Sequence, residues 1–107
     1  MSDEALLVFS TFPSREEAVR IVTALVEEQL AACGNLLPEV ESIYRWKGAV
    51  ERAIETMAVI KTTRANYARL QERIAQLHPY ETPEVIAVPI ERGLPSYLAW
   101  VADSCRL

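Results

Sequence analysis

The sequence predicts an α+β sandwich, in which helices cover one face of an antiparallel β-sheet. Segments with a strand period of two and segments with a helical period follow one another in the order βαββαβ, and a short helix ends the chain. The chain has 107 residues, half of them apolar and about a quarter charged. That size and balance are typical of one globular domain, so residues 1–107 are predicted to form a single domain.

The first strand and the first helix are separated by a clear boundary. Residues 5–12 form a short β-rich run that ends at Pro13, as expected of a buried strand. Ser14 can cap the amide of Glu17, and the Glu17 carboxylate can reach back to the Ser14 amide, which makes a capping box. The helix that follows carries its apolar residues at three- and four-residue spacing: Ala18, Ile21, Val22, Leu25, Val26 and Leu30.

A long β-hairpin is predicted after Gly34. Residues 39–46 and 49–60 alternate with a period of two on either side of a Lys47-Gly48 turn. Pro38 cannot donate a hydrogen bond to a neighbouring strand, so the first arm is expected to be an edge strand or to carry a bulge there.

The remaining elements are a second helix, a strand and a terminal helix. The second helix begins at about Thr63 and is ended by Pro79. Residues 85–90 are predicted to form a buried strand, and Gly93 and Pro95 lead into the terminal helix. The apolar residues of the second helix are Tyr67, Leu70, Ile74 and Leu77. Those of the terminal helix are Tyr97, Leu98, Trp100 and Val101.

The length of the hairpin predicts an oligomer. An arm of about a dozen residues spans about 40 Å, whereas a compact globule of this chain length is about 33 Å across. The tip of the hairpin should therefore extend beyond its own core. Burying one Trp side chain removes about 200 Å² of its surface from water, which is a stabilisation of about 5 kcal/mol as an upper bound. A neighbouring copy of the chain is therefore expected to cover the apolar side chains of the tip. The alternative is that the hairpin bends over its own sheet and covers them within one chain. The predicted interface residues are Tyr44, Trp46, Val50 and Ile54, beside Ile43.

The charge and the cysteine content limit the classes of binding partner and the cellular compartment that are predicted for this protein. The net charge is −4 and the basic residues are scattered, which argues against nucleic acid or an anionic membrane as a partner. The start of the sequence is acidic where an export signal is basic, so a cytoplasmic location is predicted. Cys33 and Cys105 are expected to be reduced and unpaired, with Cys33 buried.

Enzyme signatures are missing, so no catalytic activity is predicted. The sequence contains no GxGxxG, GxxxxGK[ST] or GxSxG motif. The segment Lys61-Thr62-Thr63 lacks the glycines of a phosphate-binding loop, which favours a strand-terminal Lys followed by a helix cap. Cys33 and His78 have no spacing that supports a nucleophile–base pair.

The most polar rigid segment is residues 78–84, where Pro79 and Pro83 stiffen a connection that carries an imidazole, a phenol and two carboxylates. His78 with Glu81 and Glu84 suits Cu²⁺, Zn²⁺ or Ni²⁺, so a metal site is one interpretation. The other is a helix stop in which His78 caps the last carbonyls of the second helix and the glutamates are solvated.

The chain resembles the CutA divalent-cation tolerance proteins over essentially its whole length. The resemblance rests on five segments in the order and at the spacing of that family. They are Ala31-Ala32-Cys33-Gly34-Asn35, Ser42-Ile43-Tyr44-Arg45-Trp46-Lys47-Gly48, Ile60-Lys61-Thr62-Thr63, His78-Pro79-Tyr80-Glu81-Thr82-Pro83-Glu84 and Tyr97-Leu98-Ala99-Trp100-Val101. The resemblance implies a ferredoxin-like fold, a homotrimer whose long hairpins embrace neighbouring subunits, and a role in tolerance of copper and other divalent metals.

The ligands implied by the resemblance are only partly present. Copper-binding relatives have a Cys at the position of Ser10 and a His-His pair where this chain has Leu77-His78. The expected site therefore holds Cu²⁺ or another divalent ion through His78 with the carboxylates of Glu81 or Glu84. Ser10 joins it if the first strand lies alongside.

The resemblance also implies similarity to PII signalling trimers, which bind small effectors at clefts between subunits. The alternative function is thus a signalling or scaffolding trimer that holds a small anionic effector or a partner segment. Arg45, Lys61 and Tyr80 are the candidate cleft residues for that function.

Overall fold

The computed structural model describes residues 4–106 and confirms the predicted order of strands and helices. None of the helices in that range has the length and apolar character needed to cross a membrane. The elements are β1 (Ala5–Phe12), α1 (Arg15–Glu27), β2 (Cys33–Trp46), β3 (Ala49–Thr63), α2 (Arg64–Leu77), β4 (Ile86–Pro89) and α3 (Pro95–Ser104).

One antiparallel sheet joins the four strands in the order β2-β3-β1-β4. Strand β3 pairs with β2 from Ala49 to Lys61, but β1 pairs only with residues 56–63 of β3. Residues 49–55 therefore have a partner strand on one side alone. The chain is correspondingly elongated, with extents of 44 × 25 × 22 Å.

The turn and the bulge of the hairpin lie where the sequence predicts them. Lys47 and Gly48 have φ values of 50° and 84°, the left-handed pair of a tight two-residue hairpin turn. Strand β2 is an edge strand, and its register with β3 shifts between Leu37 and Val40, on either side of Pro38. The edge position and the bulge, which the sequence predicted as alternatives for the arm that contains Pro38, are thus both present.

Helix α1 forms half of the predicted capping box. The Ser14 hydroxyl accepts a hydrogen bond from the Glu17 amide at 3.2 Å, but the Glu17 carboxylate pairs with Arg20 instead of reaching back. The helix also ends earlier than the apolar spacing indicates. Leu30 lies beyond the helix and is buried, whereas Val26 lies within the helix but is 39% exposed.

Helices α1 and α2 pack on one face of the sheet and close the core. Alternate residues of β1 and of β3 point toward them, and on β3 they are buried from Thr56 to Thr62. Asn66 of α2 is also buried, and its amide donates to the Cys105 carbonyl at 2.7 Å, which holds the end of α3. The central core residues are Val8, Phe12, Ile21, Leu25, Ala58, Ile60, Leu70 and Ile74.

The opposite face of the sheet is apolar but is not covered by α1 or α2. The strand register places Ile86 beside Phe9, which lies beside Val59, and Val88 beside Leu7. Ile86 is 55% exposed and Val88 is 44% exposed, so the prediction of a buried strand here is wrong in its burial. The reason is that β4 pairs only with β1, at the sheet edge, and turns these side chains to the open face.

The cysteines are unpaired as predicted, but Cys33 is not buried. It begins edge strand β2 on the open face, and its Sγ lies 3.6 Å from the Tyr97 hydroxyl. Cys105 is buried beside Thr62. The apolar neighbours of Cys33 in the sequence therefore did not predict its exposure, which depends on the strand order.

Candidate functional site

A cleft of about 600 Å³ lies between the hairpin and the segment 78–84. We call it the hairpin cleft. Strand β1 contributes Thr11, and strand β3 contributes Glu55. The remaining lining residues are Ser42, Ile43, Tyr44 and Trp46 of β2 and Tyr80, Glu81, Thr82 and Glu84 of the segment.

His78 attaches the segment to the end of β1. Its ring is buried, with Nε2 2.8 Å from the Thr11 carbonyl oxygen and Nδ1 3.1 Å from the Tyr80 amide. An amide can only donate, so Nδ1 accepts and the Nε2–H group donates to Thr11. The ring also stacks on Phe12, with the centroids 4.8 Å apart. These contacts fix the direction in which Tyr80 and the following residues leave α2.

The imidazole does not act as the helix cap of the non-metal interpretation. Helix α2 ends through its backbone, because the amide of His78 donates to the Ile74 carbonyl at 2.8 Å. The side chain instead reaches across to β1. Its role in this structure is to join two elements that are 67 residues apart in the chain.

One chain does not bring the four predicted metal ligands together. Both ring nitrogens of His78 are occupied, so a metal ion would have to displace one of these contacts. Ser10 is fully buried on the helix-covered face, and its hydroxyl has no hydrogen-bond partner within residues 4–106. Glu81 and Glu84 do line the same cleft. Across the described range, no three His, Cys, Asp or Glu side chains are grouped so that they could hold a metal ion.

A buried pair that the sequence did not indicate closes the inner end of the cleft. The Tyr80 hydroxyl donates to the Glu55 carboxylate at 2.6 Å, and Glu55 is only 8% exposed. Burial, and then this hydrogen bond to a carboxylate, raise the pKa of Tyr80. The only sequence signal was an acidic residue on the same strand face as Met57 and Val59, which alternation alone does not mark as buried.

The predicted effector residues are dispersed in one chain. Tyr80 lines the hairpin cleft, but Arg45 and Lys61 do not. Lys61 donates to Asn35, and its cross-strand partner Leu7 lies toward the far end of β1. Arg45 is on the opposite face of β2 from Tyr44, since neighbouring residues of a strand alternate. A cleft containing all three would need residues from more than one chain.

The Tyr80–Glu55 pair predicts a specific loss of stability at alkaline pH. In the unfolded chain a Tyr ionises near pH 10, whereas the raised pKa keeps Tyr80 protonated in the folded chain. Its contribution to stability is thus full below about pH 10 and is lost as the pH rises through the folded-state pKa. Tyr80→Phe should flatten this decline, as measured by urea unfolding at fixed protein concentration.

At neutral pH the same variant should be less stable by about 1–3 kcal/mol, because it leaves a buried carboxylate without its donor. The pKa values of Tyr67 and Tyr97 are also raised. The stability of the Tyr80→Phe variant should therefore still fall at alkaline pH, but less steeply than that of the wild type. Parallel pH curves for the variant and the wild type would contradict this role of Tyr80.

Comparison with known proteins places the chain in a family. The family model described as CutA1 divalent ion tolerance protein matches residues 6–104. The chain is 46% identical to the divalent-cation tolerance protein CutA of Thermus thermophilus over 92% of this chain and 95% of that protein. It is 47% identical to mouse Protein CutA over 87% of this chain, but spans only 52% of the mouse protein.

The fold agrees with solved structures of the same name. The crystal structure of CutA from Xylella fastidiosa superimposes with a TM-score of 0.94 at 41% sequence identity, covering 96% of this chain and 99% of that one. With the family match, the similar order of elements and the identities over most of the chain, the conclusion is that this chain belongs to the CutA family of divalent-ion tolerance proteins.

Proposed function

We propose that this chain acts in divalent-cation tolerance as a non-catalytic homotrimer in the cytoplasm. The observation that carries the proposed assembly is that the hairpin exposes apolar side chains on both of its faces. Family membership supports the role in cation tolerance, and the family resemblance supplies the number three. Two unpaired cysteines are compatible with a reducing compartment.

The two faces of the hairpin follow from its register. Ile43 lies opposite Arg52, so it shares a face with Val50 and Ile54, which are 65% and 60% exposed. Tyr44 and Trp46 lie on the other face and are 43% and 42% exposed. A hairpin bent over its own sheet would cover only one face. A neighbouring copy covers what a single chain leaves exposed.

The open face of the sheet supports the same assembly. Phe9 and Val59 are only partly buried there, and Ile86 and Val88 extend the apolar surface to the edge strand. A contiguous apolar surface of this kind marks an interaction site in a protein that is otherwise ordinary in composition. Packing these faces against one another would bury them without any rearrangement of the chain.

Cation binding is proposed at the carboxylates of Glu81 and Glu84. Both side chains are exposed, and neither forms an ion pair with another residue in the range 4–106. Since one chain has no complete ligand group, a neighbouring copy would have to supply further oxygen ligands. His78 then serves to position the segment, and Cu²⁺ or another divalent ion is bound through oxygen.

The assembly is tested by sedimentation equilibrium at micromolar concentration, where the wild type should have about three times the mass of one chain. Val50→Glu/Ile54→Glu should dissociate at concentrations at least tenfold higher, because it places charge in an apolar contact. Thr23→Glu/Ala68→Glu adds the same charge on exposed positions of the helices and should remain assembled. A wild-type protein that stays monomeric would refute the proposed assembly.

The metal proposal is tested by calorimetric titration with Cu²⁺ at pH 7.5 and pH 5.5. Glu81→Gln/Glu84→Gln should bind at least tenfold more weakly, whereas Glu16→Gln/Glu27→Gln, on an exposed part of α1, should bind as the wild type does. Histidine-ligated sites lose affinity steeply over this pH interval, and carboxylate sites retain most of it. Unchanged binding by the first variant, or a steep loss at pH 5.5, would exclude the carboxylate site.

A further inference from the structure

We propose that opposite faces of the hairpin meet where two copies assemble, with Arg45 of one copy paired to Glu51 of the next. We call these surfaces the aliphatic face and the aromatic face. Besides charged residues, the aliphatic face exposes Ile43, Val50 and Ile54, and the aromatic face exposes Tyr44 and Trp46. The inference rests on the assembly proposed above, and it adds which surfaces meet and which residues select the partner surface.

The aliphatic face carries one cation that has no partner. Arg45 lies opposite Val50 in the strand register, which places it on this face. Arg52 is on the same face, but it pairs with Glu41 at 3.1 Å. Arg45 is exposed and has no ion-pair partner within residues 4–106. Its guanidinium group is therefore available to a second molecule.

The aromatic face carries a carboxylate that is available in the same way. Glu51 lies opposite Tyr44 in the register and is exposed. No Lys, Arg or His in the described part of the chain pairs with it. Glu55 shares this face, but it is buried and is already the acceptor of the Tyr80 hydroxyl. Glu51 is thus the free acidic group of the aromatic face.

The two charges cannot pair with each other in one chain. Arg45 and Glu51 project from opposite sides of the same two-stranded hairpin. The cation of the turn does not replace Arg45 as a partner of Glu51, because the Lys47 ammonium lies over the Trp46 ring, 5.8 Å from its centroid. An ion pair between Arg45 and Glu51 therefore requires two copies of the chain.

The distribution of charge favours a contact between unlike faces. Two aliphatic faces in contact would bring two unpaired guanidinium groups to one interface, and two aromatic faces would bring their carboxylates together. Like charges across an interface disfavour it, whereas opposite charges fix the register of the partners. An aliphatic face against an aromatic face avoids both repulsions and covers the apolar side chains of each.

A contact between unlike faces also agrees with an assembly of three copies. When like faces meet, the same surface of both copies is used and the contact joins two chains only. When unlike faces meet, each copy still has one face of the other kind to offer, so copies can follow one another around a closed ring. An odd number of equivalent chains therefore requires the unlike contact.

The test is sedimentation equilibrium of charge-reversed variants, and the readout is the protein concentration at which the assembly dissociates. Arg45→Glu and Glu51→Arg should each raise that concentration at least tenfold, because each places like charges opposite one another in every contact. Arg45→Glu/Glu51→Arg restores opposite charges and should dissociate within about threefold of the wild-type concentration. Arg15→Glu/Glu27→Arg reverses the same residue types at exposed positions of α1, and it should assemble as the wild type does.

These variants separate the ion pair from two other effects. The single changes shift the net charge of −4 in opposite directions, so a general effect of net charge cannot weaken both assemblies. Because residues 45 and 51 lie on opposite faces of one chain, recovery in the double variant reports a contact between copies.

The inference alone is refuted if the wild type assembles but the double variant dissociates as readily as the single variants. It is also refuted if either single variant assembles as the wild type does, or if the α1 control dissociates as the single variants do. A wild type that stays monomeric refutes the proposed assembly, and this inference with it.

Discussion

The unequal lengths of β3 and β1 are the constraint on which the rest of this structure depends. Strand β3 runs from Ala49 to Thr63, but β1 ends opposite Thr56. Beyond that point the hairpin has no third strand, and neither of its faces is covered by α1 or α2. The chain nevertheless places Val50 and Ile54 there, with Tyr44 and Trp46 on the other face. A single chain thus leaves apolar side chains where it has nothing to pack against them.

The same geometry creates the hairpin cleft. Because the hairpin extends past the end of β1, a space remains between it and the segment that leaves α2. His78 fixes that segment by bonding to Thr11, so Tyr80 meets Glu55 and the acidic residues that follow line the opening. The predicted assembly surface and the candidate site are therefore two results of one feature, the uncovered half of the hairpin.

Local patterns predicted the elements well and their surroundings less well. The Lys47-Gly48 turn, the Ser14 cap and the effect of Pro38 depend on a few neighbouring residues, and all three are present. The burial of β4 and of Cys33 was predicted wrongly, because burial depends on strand order and on which face the helices cover. Neither property is encoded in a short run of apolar residues.

The site shows the same limit. The sequence singled out the rigid segment that contains His78, and the structure places that segment beside the hairpin cleft. The partner of the His78 ring is a backbone carbonyl of β1, which no residue type reveals. The buried Glu55 was missed for that reason, because its partner Tyr80 lies 25 residues further along the chain. The residue types in the sequence identified candidate metal ligands. The contacts in the folded chain decide which of their nitrogen and oxygen atoms are available to bind an ion.

The central claim, that a second copy covers the hairpin, is tested most directly by acrylamide quenching of Trp46 fluorescence in a Trp100→Phe protein. In one isolated chain Trp46 is 42% exposed. If another copy covers it, quenching should be weak at micromolar concentration and should increase when dilution separates the chains. Strong quenching that is independent of protein concentration would show that the hairpin stays exposed, and would contradict the account.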